Sequence, residues 1–277
     1  MNMKTKTKLK GIFVIVATMI ILGISLFPYY YMIIQSFTPW DQIDKVMMPD
    51  SFTLKSYSYL FGGSGGATAG MWIKSLINSF IVSVPTAVIS VVIGLLVGYS
   101  VSKMNKFKGE KFIMNTLLFQ MFFPVIILLV PRYIISKPLT NTYLGMILPL
   151  SVSVWGIFMY INYFKSLPNE VFEAARIDGA SELKILCSIG FPVAKSVTTI
   201  VFLSTFMTRW SELMWDMLIS PKIDMQTLNV LISTQFKPMG NLPGPMYGAS
   251  VILTIPIIIM FLCFSKHFKE GINFMLK

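Results

Sequence analysis

Long stretches without a charged residue divide this chain of 277 residues into segments. Six stretches have apolar cores: 11–40, 75–102, 112–131, 138–164, 196–208 and 238–265. A helix needs about 20 mainly apolar residues to cross a bilayer, so only 196–208 is too short and must continue through charged residues. The pattern predicts an all-α, polytopic membrane protein with six transmembrane helices at about 11–34, 75–102, 112–132, 144–164, 196–220 and 247–265.

Composition excludes other broad classes. Hydrophobic residues make up 55% of the chain and charged residues 13%, whereas soluble domains carry about 25% charged residues. A soluble globular domain and a disordered chain are therefore excluded.

The first span follows four lysines, as in a signal peptide, but its apolar run from Gly11 to Ile34 exceeds the roughly 7–15 residues of such segments. We expect a retained membrane anchor.

The distribution of Lys and Arg orients the spans. With the N-terminus inside, 15 of the 23 basic residues fall in cytoplasmic segments and 8 in external ones, in keeping with the positive-inside rule. The prediction is a transmembrane domain over 11–268 with cytoplasmic tails at 1–10 and 269–277. Because topology accounts for most of the net charge of +11, we expect no nucleic-acid partner.

One predicted cytoplasmic loop, residues 165–195, is longer than the others and contains four basic and four acidic residues. Pro168 suits a helix start, and Glu173 complements the dipole of the early turns. Gly179 suits a helix end, and Ser181 can cap a second helix. The loop is therefore predicted to form a helix–turn–helix on the cytoplasmic face.

The first helix of this loop has two kinds of surface. Val171, Phe172 and Ala175 share one face, which is expected to rest on the membrane domain. That leaves Ala174, Arg176 and Asp178 for a partner protein. An amphipathic helix lying in the membrane interface is the alternative interpretation of the same pattern.

The loop also contains an extended motif. Glu173-Ala174-Ala175 is followed after three residues by Gly179, and after nine more by Ile189-Gly190-Phe191-Pro192. This pattern resembles the EAA loop of bacterial ABC importer permeases, with Phe191 where that family has leucine. Asn78-Ser79-Phe80 and Trp210-Ser211-Glu212 resemble segments of the maltose-type sugar permeases, most closely the smaller, six-span subunit.

The resemblance implies the type I ABC importer permease fold and a role in ATP-driven, binding-protein-dependent import of an oligosaccharide or other carbohydrate. The expected partners, in a bacterial inner membrane, are a second homologous permease subunit, two ATP-binding-cassette ATPase subunits and an external solute-binding protein. ATP and Mg are expected on the ATPase, so this chain is expected to hold no cofactor and to catalyse no reaction. The resemblance assigns ATPase coupling to Glu173, Ala174, Ala175, Arg176, Asp178 and Gly179.

Ionisable residues at membrane depth form a second candidate region. Arg209, Glu212 and Asp216 recur at i, i+3 and i+7, which places them on one face of a continuous fifth helix. They form either an internal ion-pair ladder or a polar wall of the translocation path that binds substrate hydroxyls. Trp210 and Trp215 lie off that face, as interfacial belt residues or as platforms for a sugar ring, and we favour the belt.

Two amides and one external loop are weaker candidates. Asn78 and Gln120 belong to the candidate substrate pathway, although a single amide in a span more often bonds a neighbouring helix. The loop 221–246, rich in Pro and Gly, either reaches towards a binding protein or serves as a connector.

The chain lacks the motifs of an enzyme. No Gly-x-x-x-x-Gly-Lys-Ser/Thr phosphate loop occurs, and the single histidine, His267, lies in the basic tail. Two alternatives to the importer remain. An ion-driven secondary transporter would use an intramembrane carboxylate, and a membrane-embedded enzyme would need a catalytic constellation that the sequence does not show.

Overall fold

The protein is helical, as a computed structural model covering residues 3–62, 69–104, 109–235 and 243–275 shows. Those ranges contain no β-strand. The helices are α1 Met3–Ser36, α2 Lys55–Phe61, α3 Ala69–Lys103, α4 Glu110–Phe122, α5 Leu129–Ser136, α6 Tyr143–Ile147, α7 Val154–Ser166, α8 Glu170–Ile177, α9 Glu182–Ile185, α10 Phe191–Val193, α11 Lys195–Trp210, α12 Met214–Ile219, α13 Leu228–Gln235 and α14 Pro243–Met275.

Three segments are each long and apolar enough to cross a membrane: Gly11–Ser36, Gly70–Lys103 and Pro243–Phe264. Each contains a proline inside the helix, which membrane helices tolerate when neighbours satisfy the freed carbonyl. The first of them exposes large apolar side chains such as Ile12 and Phe13. Because such a surface is costly in water, the exposure suits contact with lipid or with another membrane helix.

The other candidate spans are pairs of helices that meet at an angle. The bends are 100° between Glu110–Phe122 and Val125–Leu139, 43° between Tyr143–Leu150 and Val154–Ser166, and 79° between Glu182–Val193 and Lys195–Trp210. If each bent pair is one span, the total is up to six. The protein therefore has the all-helical, multi-pass architecture that its hydrophobic pattern predicts.

Three predicted helices differ from the structure because they are interrupted. The helix expected over 144–164 is divided into α6, which ends at Ile147, and α7, which begins at Val154. The helix expected over 112–132 breaks at Phe123, whose ψ of 125° is extended, because Pro124 disfavours helical backbone in the preceding residue. The helix expected over 196–220 ends at Trp210 and resumes as α12 at Met214. The predicted loop 221–246 includes α13 and the first residues of α14, and residues 236–242 lie outside the described ranges.

The chain packs as two compact units, one of residues 1–72 and 232–254 and the other of residues 73–231 and 255–277. In the first unit, the segment after α1 is held by Asp44. Its carboxylate accepts hydrogen bonds from Tyr31 Oη at 2.9 Å and from Tyr247 Oη at 2.6 Å. Gln35 adds a bond from its Nε2 to the carbonyl of Val46 at 2.8 Å. This segment is thereby tied to α1 and to the start of α14.

The second unit contains both candidate sites. Here α3 approaches α7 so closely that a Cβ added at Gly94 would lie 2.9 Å from the ring of Tyr160. Small residues allow such close packing of membrane helices. Tyr160 and Phe164 of α7 are fully buried in a core that also includes Tyr99 of α3 and Val197 of α11.

Candidate functional site

The 165–195 loop contains the two helices predicted for it, α8 and α9, and continues through a π-helical turn over Leu186–Gly190 into α10. α8 ends where Gly179 adopts a φ of +78°, and the amide of Ala180 then bonds the carbonyl of Ala175 at 3.0 Å. This is the usual use of glycine after a helix. Ser181 caps α9 through its hydroxyl, which accepts from the amide of Lys184. Gly179 thus sets the turn between the helices.

The inward surface of the loop rests on the second unit's core. Phe172 is buried beside Tyr99, with ring centroids 6.0 Å apart, and Ala175 is partly buried against the same core. Val171, expected on this face, is instead 51% exposed. Adjacent helical residues lie about 100° apart, so the side of the helix that buries Phe172 does not extend to Val171.

Arg176 is held inside the protein, in contrast to the prediction that it is left for a partner. Its Nε donates to Glu182 Oε1 at 2.7 Å, and its Nη2 donates to the carbonyl of Lys103 at 2.6 Å. The hydrogen bond to Glu182 raises the pKa of Arg176 above its ordinary value. The guanidinium therefore stays charged and occupied within this unit.

The outward surface of the loop combines small, acidic and apolar side chains. Glu173, Ala174, Asp178 and Gly179 are exposed, as their predicted contact with a partner requires. Two apolar side chains beside them, Ile177 at 85% and Leu183 at 66% exposure, were not predicted. Ile177 ends a short helix that also carries charged residues. This position was the feature of the sequence that could have indicated an exposed apolar side chain. We call the exposed residues Glu173, Ala174, Ile177, Asp178, Gly179 and Leu183 the outer face of the loop.

The ionisable residues after α11 form a compact cluster. Arg209 Nη1 donates to Asp216 Oδ2 at 3.0 Å, and Nη2 donates to Asp216 Oδ1 and to the carbonyl of Met146. Both side chains are almost fully buried. Glu212 instead caps α12, accepting from the amide of Trp215 at 3.0 Å. The prediction of one continuous helical face is wrong, because the chain leaves the helix between Arg209 and Asp216.

The tryptophans are not belt residues. Trp215 is 1% exposed, and its Nε1 donates to the carbonyl of Gly145 at 3.1 Å. Trp210 is also buried and stacks on Phe206. Hydropathy does not distinguish these positions, since an indole suits a packed helix interface as well as a membrane interface.

A cleft of about 620 Å³ opens beside the Arg209–Asp216 pair. Of the predicted pathway residues, Gln120, Arg209 and Glu212 line it. Its other lining side chains come from several helices, and those that the sequence did not single out include Thr86, Arg132, Trp155, Ser204, Thr205 and Thr208. Clefts of this size that combine apolar walls with a few polar groups are typical ligand sites.

Three predicted pathway residues lie outside the lining of this cleft. Asp216 and Trp215 are buried behind it. Asn78 bonds within the protein: its Nδ2 donates to the carbonyls of Asp224 and Gln226 at 2.9 and 3.1 Å, and its Oδ1 accepts from Tyr143 at 2.7 Å. Asn78 thus fixes the segment after α12 against α3.

Three side chains in the cleft differ in how far a ligand can reach them. Arg209 is almost fully buried, and its Nε has no hydrogen-bond partner among the described residues. Arg132 lies with its guanidinium 5.7 Å from the Trp215 ring. The indole of Trp155 is 40% exposed. Within the described residues, no group of three or more His, Cys, Asp or Glu side chains is placed to hold a metal ion.

Known proteins resemble the chain over most of its length. The family model described as binding-protein-dependent transport system inner membrane component matches residues 90–272. The arabinooligosaccharides transport system permease protein AraQ of Halalkalibacterium halodurans is 29% identical over 257 residues, which cover 90% of both chains. The sn-glycerol-3-phosphate transport system permease protein UgpE of Escherichia coli O1:K1 is 28% identical over 92% of this chain and 94% of its own.

A solved structure has the same fold. It is the crystal structure of a bacterial ABC transporter involved in the import of the acidic polysaccharide alginate. One of its chains superposes with a TM-score of 0.81 at 21% identity, over 95% of this chain and 98% of that one. The chain therefore shares its overall fold with that structure.

Proposed function

Because the chain belongs to the family of binding-protein-dependent transport system inner membrane components, we propose that it is one of two permease subunits in an ATP-driven carbohydrate importer. A second homologous permease completes the pore, and two ATP-binding-cassette ATPase subunits drive it. A solute-binding protein delivers the substrate from outside. ATP and Mg bind to the ATPase subunits, and this chain serves as a non-catalytic membrane subunit.

The outer face of the 165–195 loop is the observation that carries the coupling role. Its exposed carboxylates and small residues surround a turn that Gly179 keeps free of a side chain. Exposed apolar side chains beside them, Ile177 and Leu183, add area that a partner would remove from water. We assign docking on the ATPase to Glu173, Ala174, Asp178 and Gly179, with Ala175 supporting the face from behind.

The cleft supports a polyhydroxylated substrate. Its lining offers hydroxyls from Ser204, Thr205 and Thr208 and the amide of Gln120. The exposed indole of Trp155 suits stacking against the apolar side of a sugar ring. Among the ionisable lining residues, Arg132 and Glu212 carry opposite charges, and Arg209 is neutralised by Asp216. This balance favours a neutral carbohydrate, in agreement with the arabinooligosaccharide permease among the relatives.

The orientation follows the positive-inside rule. Both tails and the 165–195 loop lie on the cytoplasmic side, where the ATPase subunits bind. The segment tied by Asp44 and the loop 221–246 then lie on the external side, where the solute-binding protein approaches.

A pull-down tests the proposed assembly. The tagged chain is purified from native membranes in mild detergent, and retained proteins are identified by mass spectrometry. We expect a second permease and a P-loop ATPase. The purified complex is then placed in proteoliposomes and offered neutral oligosaccharides with their binding protein. A chain that purifies alone and imports substrate on an ion gradient without ATP would contradict the proposal.

Glu212→Gln tests whether the cleft belongs to the substrate path. Glutamine keeps an acceptor oxygen for the amide of Trp215, so α12 stays capped, but the charge facing the cleft is lost. Hydrogen bonds to charged groups contribute about 1.5–3 kcal/mol, so we expect the KM for import to rise about tenfold or more. Initial uptake rates at several substrate concentrations measure this.

Asp224→Asn is the matched control for Glu212→Gln. Its carboxylate is 79% exposed in a 3.6 Å ion pair with Lys74, and such surface pairs contribute little. We expect wild-type KM and yield for this control. If Glu212→Gln reduces assembly while the KM of the remaining complex is unchanged, Glu212 is structural and the cleft assignment fails.

A further inference from the structure

A network of charged and aromatic side chains joins the inner end of α3 to both helices of the 165–195 loop. Glu182 of α9 is its centre: one carboxylate oxygen accepts from Arg176 of α8 at 2.7 Å, and the other accepts from Tyr99 of α3 at 2.6 Å. The two helices of the loop and the distant α3 therefore meet at one carboxylate.

Lys103, the last residue of α3, adds a second set of bonds. Its carbonyl, which lacks a partner within the helix, accepts from Arg176 Nη2 at 2.6 Å. Its ammonium is buried and donates to the carbonyl of Leu167 at 2.7 Å and to Asn169 Oδ1 at 2.6 Å. Leu167 and Asn169 lie in the loop just before α8. The cation of Arg176 at the C-terminus of α3 also complements the dipole of that helix.

These contacts are stiff compared with ordinary loop packing. Charge-assisted hydrogen bonds are shorter and stronger than neutral ones, and partial burial reduces their screening by salt. Phe172 fills the space beneath them, with the Lys103 ammonium 5.0 Å from its ring centroid. The loop therefore has little freedom to move without α3.

α3 also reaches the cleft. Thr86, which lines it, lies 17 residues before Lys103, or about 25 Å along the helix at 1.5 Å per residue. A rigid displacement of the inner end of α3 therefore alters the position of one wall of the cleft.

We propose that Glu182 and Arg176 are positioning residues that make α8, α9 and the inner end of α3 move as one body, so that displacement of the loop reaches the cleft through α3. This inference rests on the proposed function, because it presupposes an ATPase docked on the outer face. Neither side chain needs to touch the ATPase or the substrate.

E182Q tests the inference in the complete complex. Glutamine has nearly the same shape but loses the charge that holds Arg176, so the docked loop can yield without moving α3. In proteoliposomes we expect the number of ATP molecules hydrolysed per substrate imported to rise about fivefold or more. A purely structural defect would lower hydrolysis and import together and leave this ratio unchanged. The matched control is E110Q at the first turn of α4. Glu110 takes part in none of the ion pairs among the described residues, so this variant should keep the wild-type ratio.

Co-purification of the ATPase subunits separates the remaining outcomes. An E182Q complex that retains them and keeps the wild-type ratio overturns the proposal. Loss of the ATPase from E182Q also overturns it, because Glu182 would then act in docking. If E182Q does not assemble, R176K decides by the same ratio, since lysine keeps the charge but has one nitrogen in place of the two, Nε and Nη2, that bond Glu182 and the Lys103 carbonyl. A wild-type complex that imports without ATP refutes the proposed function itself, independently of either variant.

Discussion

Gly179→Asp should leave the membrane domain folded and nearly abolish import. The added carboxylate lies on the outer face, where the proposed ATPase binds, and an unpaired charge buried at an interface costs about 2–5 kcal/mol. That corresponds to a loss of about 30-fold to several thousandfold in docking. Uptake into proteoliposomes and ATPase co-purification, measured on the same preparation, check this result.

The fold is expected to survive because the site tolerates a side chain locally. A Cβ at Gly179 would meet no atom within 4 Å. The φ of +78° is unfavourable for L-residues, but aspartate adopts this region more readily than most. The main effect therefore falls on a partner outside the chain.

Gly109→Asp is the matched control. Gly109 also has a positive φ, +112°, and an open space around its Cβ direction, but it precedes α4 and lies outside the 165–195 loop. We expect normal uptake and normal ATPase retention. If Gly179→Asp imports as well as this control, the outer face is not the coupling surface.

The spans were predictable from the sequence, but none of their three breaks was predicted. Charge-free stretches mark the spans because each ionisable residue is costly in lipid. The 100° bend at Phe123 has a local cause in Pro124, and the rule for residues before proline predicts it. The break between Trp210 and Met214 has no proline or glycine, so local propensity gave no comparable signal.

In the 165–195 loop, the turn and the cap were predictable from residue type, but the contacts with α3 were not. Gly179 and Ser181 act locally, and their roles in a turn and a cap follow from residue type. The inward bonds of Arg176 to Glu182 and the Lys103 carbonyl depend on where α3 ends in space. The spacing of residues within the loop does not indicate where the end of α3 lies.

The residues that line the cleft are harder to predict from the sequence than the residues of the loop. Gln120, Trp155 and Thr205 come from three separate helices, and no motif links them. In a membrane protein, lipid-facing and packed positions are both apolar. Hydropathy therefore does not show that Trp215 is buried while Trp155 is partly exposed.

The Arg209–Asp216 pair is the most strongly buried charged contact of the described residues. Asp216 has no exposed surface and also accepts from Thr227 Oγ1 at 3.2 Å. Arg209 spans from this carboxylate to the carbonyl of Met146 at 3.2 Å. The pair thus joins α11, α12 and α6 across the break between Trp210 and Met214. Removing one charge leaves the other buried and unpaired, whereas replacing both by apolar side chains can leave stability nearly unchanged.

Asp216→Asn should therefore destabilise the purified complex by about 3–5 kcal/mol, a drop of about 10 °C in melting temperature. The buried Trp210 and Trp215 report this transition by fluorescence, and the exposed Asp224→Asn should melt as wild type. The double variant Arg209→Met/Asp216→Leu should recover most of the stability. Its import activity then distinguishes the two roles that the sequence left open, an internal ion pair and a polar wall of the translocation path. Recovered import in the double variant would make the pair purely structural, whereas a stable complex with import lost would make Arg209 part of the substrate path. If Asp216→Asn melts like Asp224→Asn, the pair does not stabilise this fold.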